Sequence, residues 1–251
     1  MPQFFIGENI SEGTEIILKG PEAHHIINVL RLKTGDWIAL SDGKGRSYNS
    51  RIMDVRRKEL TVTIEDERPT IDTSNLPTLA IAITKHDKLE LIIQKAVELG
   101  TPKIVTFKSE RTVPKFSQSA TSKKLERWNS IALSAAIQSG LPLKPVVYPP
   151  IEFHHLCEQL GSYHSKFIFW EGETENTLDR AFTKDTAKPL IIIGPEGGFA
   201  QDEVKMARSQ GAISVSLGPQ ILRVETAAIA AITLCQYKLG NLNKGACGMI
   251  A

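Results

Sequence analysis

Cysteine, aromatic side chains and long apolar runs are all scarce in this chain of 251 residues, and the first and last of these shortages exclude whole classes of protein. The three cysteines, Cys157, Cys235 and Cys247, form no CxxC pair. An odd, unpaired set argues against a disulfide framework and a zinc module, and points to a reducing cytoplasm. No apolar run reaches the roughly 18 residues a membrane span needs, so no membrane partner is expected. The start, MPQFFIGENI, has neither the basic n-region nor the apolar h-region of a signal peptide. Hydrophobic residues make up 41% and charged residues 23%, an ordinary globular balance that excludes disordered, collagen-like and coiled-coil classes.

Several motifs are missing as well. There is no GxxxxGK[ST] phosphate loop, no GxGxxG after a strand and no GxSxG elbow, so ATPase, dinucleotide-binding and serine-hydrolase readings lack support. His154, His155, Cys157 and His164 cluster in sequence. Adjacent side chains on a helix diverge, however, and no ligand spacing is met, so no metal is expected.

Charge is uneven. Residues 1–72 carry 10 basic and 12 acidic side chains, residues 73–150 carry 11 and 5, and residues 151–251 carry 9 and 11. The middle segment therefore holds an excess of 11 − 5 = +6 within a net charge of +2. A second basic stretch, Lys44, Arg46, Arg51, Arg56, Arg57 and Lys58, faces only Asp54. One such run reads as a solvated face. Two in separate segments point toward a polyanion, because neutralising phosphates takes several spaced Lys and Arg.

Two patterns divide the chain. Up to about residue 70, short runs at Phe4–Ile6, Thr14–Leu18, Trp37–Leu40, Ser47–Val55 and Leu60–Ile64 predict strands, with a hairpin signal at Asp42-Gly43-Lys44-Gly45. One helix, PEAHHIINVLRL, interrupts them, and the set suggests a small barrel. ERPTIDTSNLPT then reads as a linker, giving domains at 1–72 and 73–251. Beyond it, strands at 79–84, 104–107, 146–148, 167–170, 190–193 and 214–217 alternate with helices. That alternation predicts an α/β domain with a parallel sheet covered on both faces.

Two segments can carry chemistry. In IIIGPEGGFAQDEV a buried strand runs into Gly194-Pro195-Glu196-Gly197-Gly198, and a helix follows. Ligands of open α/β sheets bind at strand carboxyl ends. Paired glycines there leave backbone amides bare for a flat ring, and a Val at 197 would both fill that space and resist a positive φ. In SLGPQILRVETAAIAAI a second Gly-Pro strand end is followed by Leu217-Gly218, then exposed-loop Ile221 and Leu222, then Arg223 and Glu225. Two branched aliphatics in a loop suit a cavity wall. Taken singly, the first segment also fits a plain strand-to-helix turn, and the second a buried helix with a helix-start ion pair.

Together, GPEGGF and LGxxILRxETA resemble motifs of the SPOUT methyltransferases, and more specifically of the RsmE family. HHIINVLRLKTGDWIALSDGKG (24–45), KHDKLELIIQKAVELG and FKSERTV (107–113) are similar to further family blocks, so the resemblance covers nearly the whole chain. It implies a PUA-like RNA-binding barrel, a trefoil-knotted SPOUT domain, S-adenosylmethionine as methyl donor and a homodimer with the site near its interface. It further implies methylation of uridine N3 in small-subunit (16S) ribosomal RNA, in an assembled particle. The chain departs from the family at Gln3 and at Ile137-Gln138-Ser139-Gly140-Leu141, where two arginines are lost and the RNA footprint is expected to change.

The chemistry assigns roles to residues. Arg223 is the candidate anion stabiliser, and Glu196 and Glu225 are unranked candidate bases. Gly194, Pro195, Glu196, Gly197, Gly198, Leu217, Gly218, Ile221 and Leu222 are the candidate cofactor pocket, closed by Trp170 and Glu171. His25, Arg31, Lys44, Arg46, Lys108 and Arg111 are the candidate RNA contacts. Two other readings stay open: a SPOUT enzyme acting on transfer RNA, and a non-catalytic RNA-binding or ribosome-assembly protein.

Overall fold

Short apolar runs separated by turn residues dominate the first 70 positions. In the computed structural model, which describes residues 1–7, 11–70, 72–85, 87–112 and 118–242, they pair into one sheet. His86 and Cys247 lie outside the described residues. The strands are β1 (Gln3–Phe5), β2 (Glu15–Lys19), β3 (Trp37–Ser41), β4 (Ser47–Val55) and β5 (Glu59–Glu67), in the order β1-β3-β4-β5-β2. β1 lies parallel to β3 and the other pairings are antiparallel. Period-two alternation sends Leu60, Val62 and Ile64 of β5 inward, onto Ile26, Ile38, Leu40 and Ile52. Among the described residues no pairing joins β1 to β2, so the expected barrel is a half-barrel.

The predicted helix over PEAHHIINVLRL changes character halfway. α1 (Gly20–His24) continues as a π-helical turn, His25–Val29, in which the Leu30 amide donates to the His25 carbonyl at 2.9 Å. Arg31, at φ +55, ends it in the left-handed region. A 3.6-residue period cannot foretell a wider turn, because the side-chain pattern over five residues is nearly the same.

By its contacts the structure forms two units, residues 1–73 with 136–144, and residues 74–135 with 145–251. The inclusion of 136–144 in the first unit has a visible cause. The Asp42–Gly45 turn receives that segment: Gly45 N–H donates to Pro142 O (3.0 Å) and Lys144 N–H to Gly43 O (3.0 Å). Gln3 is buried, and its Nε2 donates to Leu141 O at 2.8 Å. The two positions at which an altered RNA footprint was expected thus meet in one buried hydrogen bond, which makes Gln3 a structural tether and no surface contact.

The second unit contains β6 (Thr78–Ala82), α2 (Lys88–Glu98), β7 (Lys103–Lys108), α3 (Gln118–Ser139), β8 (Val146–Glu152), α4 (Phe153–Gln159) and β9 (Lys166–Phe169). α5 (Leu178–Ala181), β10 (Leu190–Ile193), α6 (Gln201–Ser209), β11 (Ile213–Val215) and α7 (Val224–Lys238) follow; the last turn of α3 belongs to the first unit. Six strands form a parallel sheet in the order β11-β9-β10-β6-β7-β8. Central strands β6 and β10 are buried throughout, which is why they read as unbroken apolar runs. Phe107, Phe153 and Phe199 join in one aromatic cluster, with Phe107 and Phe199 stacked at 6.2 Å. Among the described residues no helix is long and apolar enough to cross a membrane.

Candidate active site

Strand order decides where the site is. β6, β7 and β8 step outward in one direction, whereas β9 and β11 lie on the other side of β6 with β10 inserted between β9 and β6. Such a reversal leaves a crevice beyond the strand carboxyl ends. A cavity of about 500 Å³ occupies this position, within the usual size range for a small-molecule site. Its walls are the segments that leave β9, β10 and β11, together with the start of α2.

The loop after β10 is tightly fastened. Phe199, 2% exposed, anchors its end in the aromatic cluster, and its ring lies 2.9 Å from where a Cβ on Gly194 would sit. Only glycine fits at 194. Glu196 accepts the Lys85 amide at 3.0 Å, Gly198 N–H donates to Pro195 O at 3.0 Å, and Arg111 Nη1 donates to Gly197 O at 2.9 Å. Gly198, at φ +68, holds the left-handed conformation, and a Cβ there would collide with the Glu171 carboxylate. The positive φ expected at 197 therefore belongs to 198, and one of the amides expected to be bare is already bonded. Gly197 has less room to change than an open loop, since a Cβ would meet Arg111 Cβ at 3.3 Å.

α6 begins immediately after this loop. Ala200 at its N-cap has no acceptor side chain, so Glu203 caps the helix from N3 by accepting the Ala200 amide at 3.0 Å. The same buried carboxylate accepts Ser109 Oγ (3.1 Å) and the Glu110 amide (2.9 Å). Ser109, Glu110 and Arg111 thus brace the glycine loop twice, through Glu203 and through the Arg111 guanidinium.

The loop after β11 has fewer ties. Gly218, at φ +111, donates its amide to Ser216 Oγ at 3.2 Å, and a Cβ on it would meet only Gln220 Oε1, at 3.7 Å. Ile221 is 89% exposed. α7 starts at Val224, and its buried Ala228 and Ala231 let it pack closely. The root of this loop is nonetheless held. Glu173, buried, accepts Arg208 Nη2 (2.7 Å), the amides of Glu175 (2.9 Å) and Asn176 (3.1 Å), and the hydroxyl of Ser214 in β11. Burial opposes its charge, but the Ser214 hydroxyl, the two amides and the Arg208 guanidinium outweigh it and hold the carboxyl down at about 2.

All eleven candidate cofactor residues line the one cavity: Trp170 and Glu171 after β9, Gly194 to Gly198 after β10, and Leu217, Gly218, Ile221 and Leu222 after β11. Arg223 and Glu196 line it too. Glu225 does not. It sits in the first turn of α7 behind Lys88, whose Nζ is 4.0 Å from its Oε2, and among the described residues no ion pair joins it to Arg223. Sequence reasoning missed three polar wall residues, Ser216, Gln220 and the charged Lys88; nothing about a lysine at a helix start signals that tertiary packing will turn it toward two glutamates. Burial pushes the thiols of Cys157 and Cys235 up to about 11 and about 12, so neither is a nucleophile at neutral pH. Among the described residues no group of His, Cys, Asp and Glu could hold a metal ion.

Of the candidate RNA contacts, His25, Arg31, Lys44 and Arg46 are exposed on the first unit. In the second unit, Lys108 pairs with Glu152 at 3.0 Å and Arg111 with the glycine loop, intramolecular partners that spacing alone did not announce.

Residues 74–236 match the RNA methyltransferase domain family and residues 18–65 the RNA methyltransferase PUA domain family. The chain is 31% identical over 250 residues to ribosomal RNA small subunit methyltransferase E of Bacillus subtilis (strain 168), covering 95% of this chain and 97% of that protein. Its fold is similar to the crystal structure of a ribosomal RNA small subunit methyltransferase E from Neisseria gonorrhoeae bound to S-adenosyl methionine. That match has a TM-score of 0.84 and 32% identity, and covers 94% of this chain and 97% of the other. A methyltransferase of Legionella pneumophila in complex with bound SAM matches with a TM-score of 0.79 and 27% identity, over 94% and 96% of the two chains.

Proposed function

Because the chain belongs to the ribosomal RNA small subunit methyltransferase E family, we propose that it transfers a methyl group from S-adenosylmethionine to N3 of a uridine in small-subunit (16S) ribosomal RNA. The observation that carries this reading is the convergence of two glycine loops, Gly194–Gly198 and Leu217–Leu222, on one cavity at the carboxyl ends of three parallel strands. The missing side chains at Gly194 and Gly198 let the Phe199 ring and the Glu171 carboxylate close against the first loop, which fixes its backbone on the cavity wall.

When bound, S-adenosylmethionine supplies an already activated methyl group. The residues of this chain then have three tasks. Gly194 to Gly198, with Ile221 and Leu222, hold the adenosine through main chain and apolar contact, while Trp170 and Glu171 close the side of the pocket. Arg223, exposed at the start of α7, stabilises the negative charge that develops on the uracil as N3 loses its proton. Glu196 takes that proton. It is favoured over Glu225 because its carboxylate is on the cavity wall and that of Glu225 is not. N3 lies on the pairing edge of the base, so the target uridine enters unpaired or extruded. His25, Arg31, Lys44 and Arg46 supply phosphate contacts from the PUA-like unit.

A homodimer belongs to the same reading. It is supported by apolar side chains left exposed on and after α7, Leu234 at 43%, Tyr237 at 56% and Leu242 at 47%. Light scattering on the eluting protein tests it.

The decisive experiment is calorimetric titration with S-adenosylmethionine, followed by methyl transfer to naked small-subunit RNA and to assembled subunits. One cofactor per chain and a single methylated uridine are expected. No binding at millimolar ligand would remove every enzymatic reading and leave the RNA-binding one.

A further inference from the structure

The cavity wall holds a second cation besides Arg223, and its surroundings are unusual. Lys88, in the first turn of α2, stands with its Nζ 3.5 Å from Glu196 Oε1 and 4.0 Å from Glu225 Oε2. Both are ion-pair distances, and neither is a hydrogen bond. Among the described residues these two carboxylates, one from the loop after β10 and one from α7, are the charged groups recorded against the ammonium. Glu196 already has the Lys85 amide as a hydrogen-bond donor. Glu225 Oε2 is buried and accepts no hydrogen bond at all. Its charge is balanced by Lys88 and by the amino end of α7, where a carboxylate is favoured.

An ammonium carries three donors and no lone pair, so it cannot serve as a base while protonated. Suspended between two acceptors without bonding to either, it keeps its donors for something else. The methylation proposed above creates a need for them. As the N3–CH3 bond forms and the S–CH3 bond breaks, the sulfur keeps the electron pair of the broken bond, and the N3 proton passes to Glu196. While N3 is without its proton, the charge is shared with the flanking uracil oxygens, where a charged hydrogen-bond donor stabilises it.

We propose that Lys88 is a catalytic residue that leaves its place between Glu196 and Glu225 to donate to a uracil oxygen of the ionising substrate. This rests on the methyltransferase reading above. The movement does two things at once. It stabilises the imide anion, and it removes the cation facing Glu196 at the moment that carboxylate must accept a proton. Glu225 does not touch the substrate in this scheme. It is a positioning residue, the buried anion to which the ammonium returns.

Lys88→Met and Lys88→Arg, made in the full chain, test the assignment by calorimetry with S-adenosylmethionine and by single-turnover methylation of small-subunit RNA across pH. Cofactor affinity is expected to stay within about threefold in both variants, because Lys88 serves the base and not the donor. The rate of Lys88→Met at neutral pH should fall about a hundredfold, the loss typical of removing one anion stabiliser, with partial rescue in Lys88→Arg. That deficit should shrink at least tenfold as pH approaches the ionisation of the imide itself, and again with 5-fluorouridine at the target, whose imide is more acidic. A deficit unchanged by pH and by fluorination would overturn the proposal and reduce Lys88 to a brace between two loops. So would a wild-type rate in Lys88→Met. Lys88→Gln, read in the same way, replaces the methionine variant should that one fail to fold. A wild-type chain that binds no cofactor and methylates no RNA would sink the underlying reading instead, and is told apart by the wild-type titration alone.

Discussion

The two glycine loops that meet at the cavity are built on opposite plans. The loop after β10 is fastened from four sides, by the Phe199 anchor, the Arg111 contact to Gly197 O, the Lys85 amide on Glu196 and the Glu203 cap of the next helix. The loop after β11 is fixed at its root by Ser214 and Glu173, but its crest, from Gly218 to Leu222, has few ties and leaves Ile221 almost wholly in water. A preorganised floor and a loosely held lip divide the work of binding. The floor meets its ligand without ordering cost, whereas the lip gains its contacts only when something covers Ile221. The distinction matters for mutational reading, since damage to the floor should register in stability as well as affinity, and loss of a lip side chain in affinity alone.

The largest expected effect is on the floor. Glu203→Ala strands the Ala200 and Glu110 amides and the Ser109 hydroxyl beside a buried void, and should cost about 3 kcal/mol of stability by urea denaturation. A loss under about 1 kcal/mol would mean that the floor is not held through this carboxylate.

Next come paired alanine substitutions. Gly198→Ala puts a side chain at φ +68, a strain of about 1–2 kcal/mol, and displaces the Glu171 carboxylate from its position over the loop. S-adenosylmethionine affinity should fall about tenfold and the melting temperature should drop. Gly218→Ala meets no crowding, so its cost is backbone strain alone and its effect on affinity should be smaller. Equal losses of affinity at the two positions would erase the distinction between floor and lip.

A pH series probes the root of the lip. The Glu173 carboxyl is held at about 2 in the folded protein against 4.5 for the free group, so its folded form is depressed. Its contribution is present in full above about 4.5 and is lost as pH falls from there toward 2. The difference in urea midpoint between wild type and Glu173→Gln should therefore be largest near neutrality and narrow on acidification. A difference independent of pH would show that charge is not what braces β11. The smallest effect is expected at the crest, where Ile221→Ser should leave stability within about 0.5 kcal/mol while weakening the cofactor threefold or so. A clear fall in thermal stability there would mean that the lip is already packed in the free protein.

Much of this was legible in residues alone, because the relevant signals are local. Buried runs such as Leu190–Ile193 read as strands without any knowledge of their neighbours, since a strand covered on both faces leaves no polar position to interrupt it. The site residues 194–198 and 217–223 could likewise be picked out by their composition, as Gly-Pro turns at strand ends followed by helix starts. What escaped detection has a common cause. The π-helical turn at His25–Val29, the left-handed φ at 198 in place of 197, and the recruitment of Ala136–Lys144 by the Asp42–Gly45 turn all depend on partners distant in sequence or on single backbone angles.

The sequence by itself determined the alternation of elements, the division of pattern near residue 72 and the chemistry available at two strand ends, because periodicity, turn residues and charge act over a few residues. Only the tertiary structure decided which charges meet. Lys88 and Glu225 are 137 residues apart by number (225 − 88), and Glu196 lies between them. The insertion of β10 between β9 and β6 carries Glu196 to the start of α2, and the packing of α7 against α2 brings Glu225 to the same ammonium. Ion pairs need their two charges within about 4 Å of each other, a closeness that only packing brings about. No spacing along the chain encodes them; strand order does.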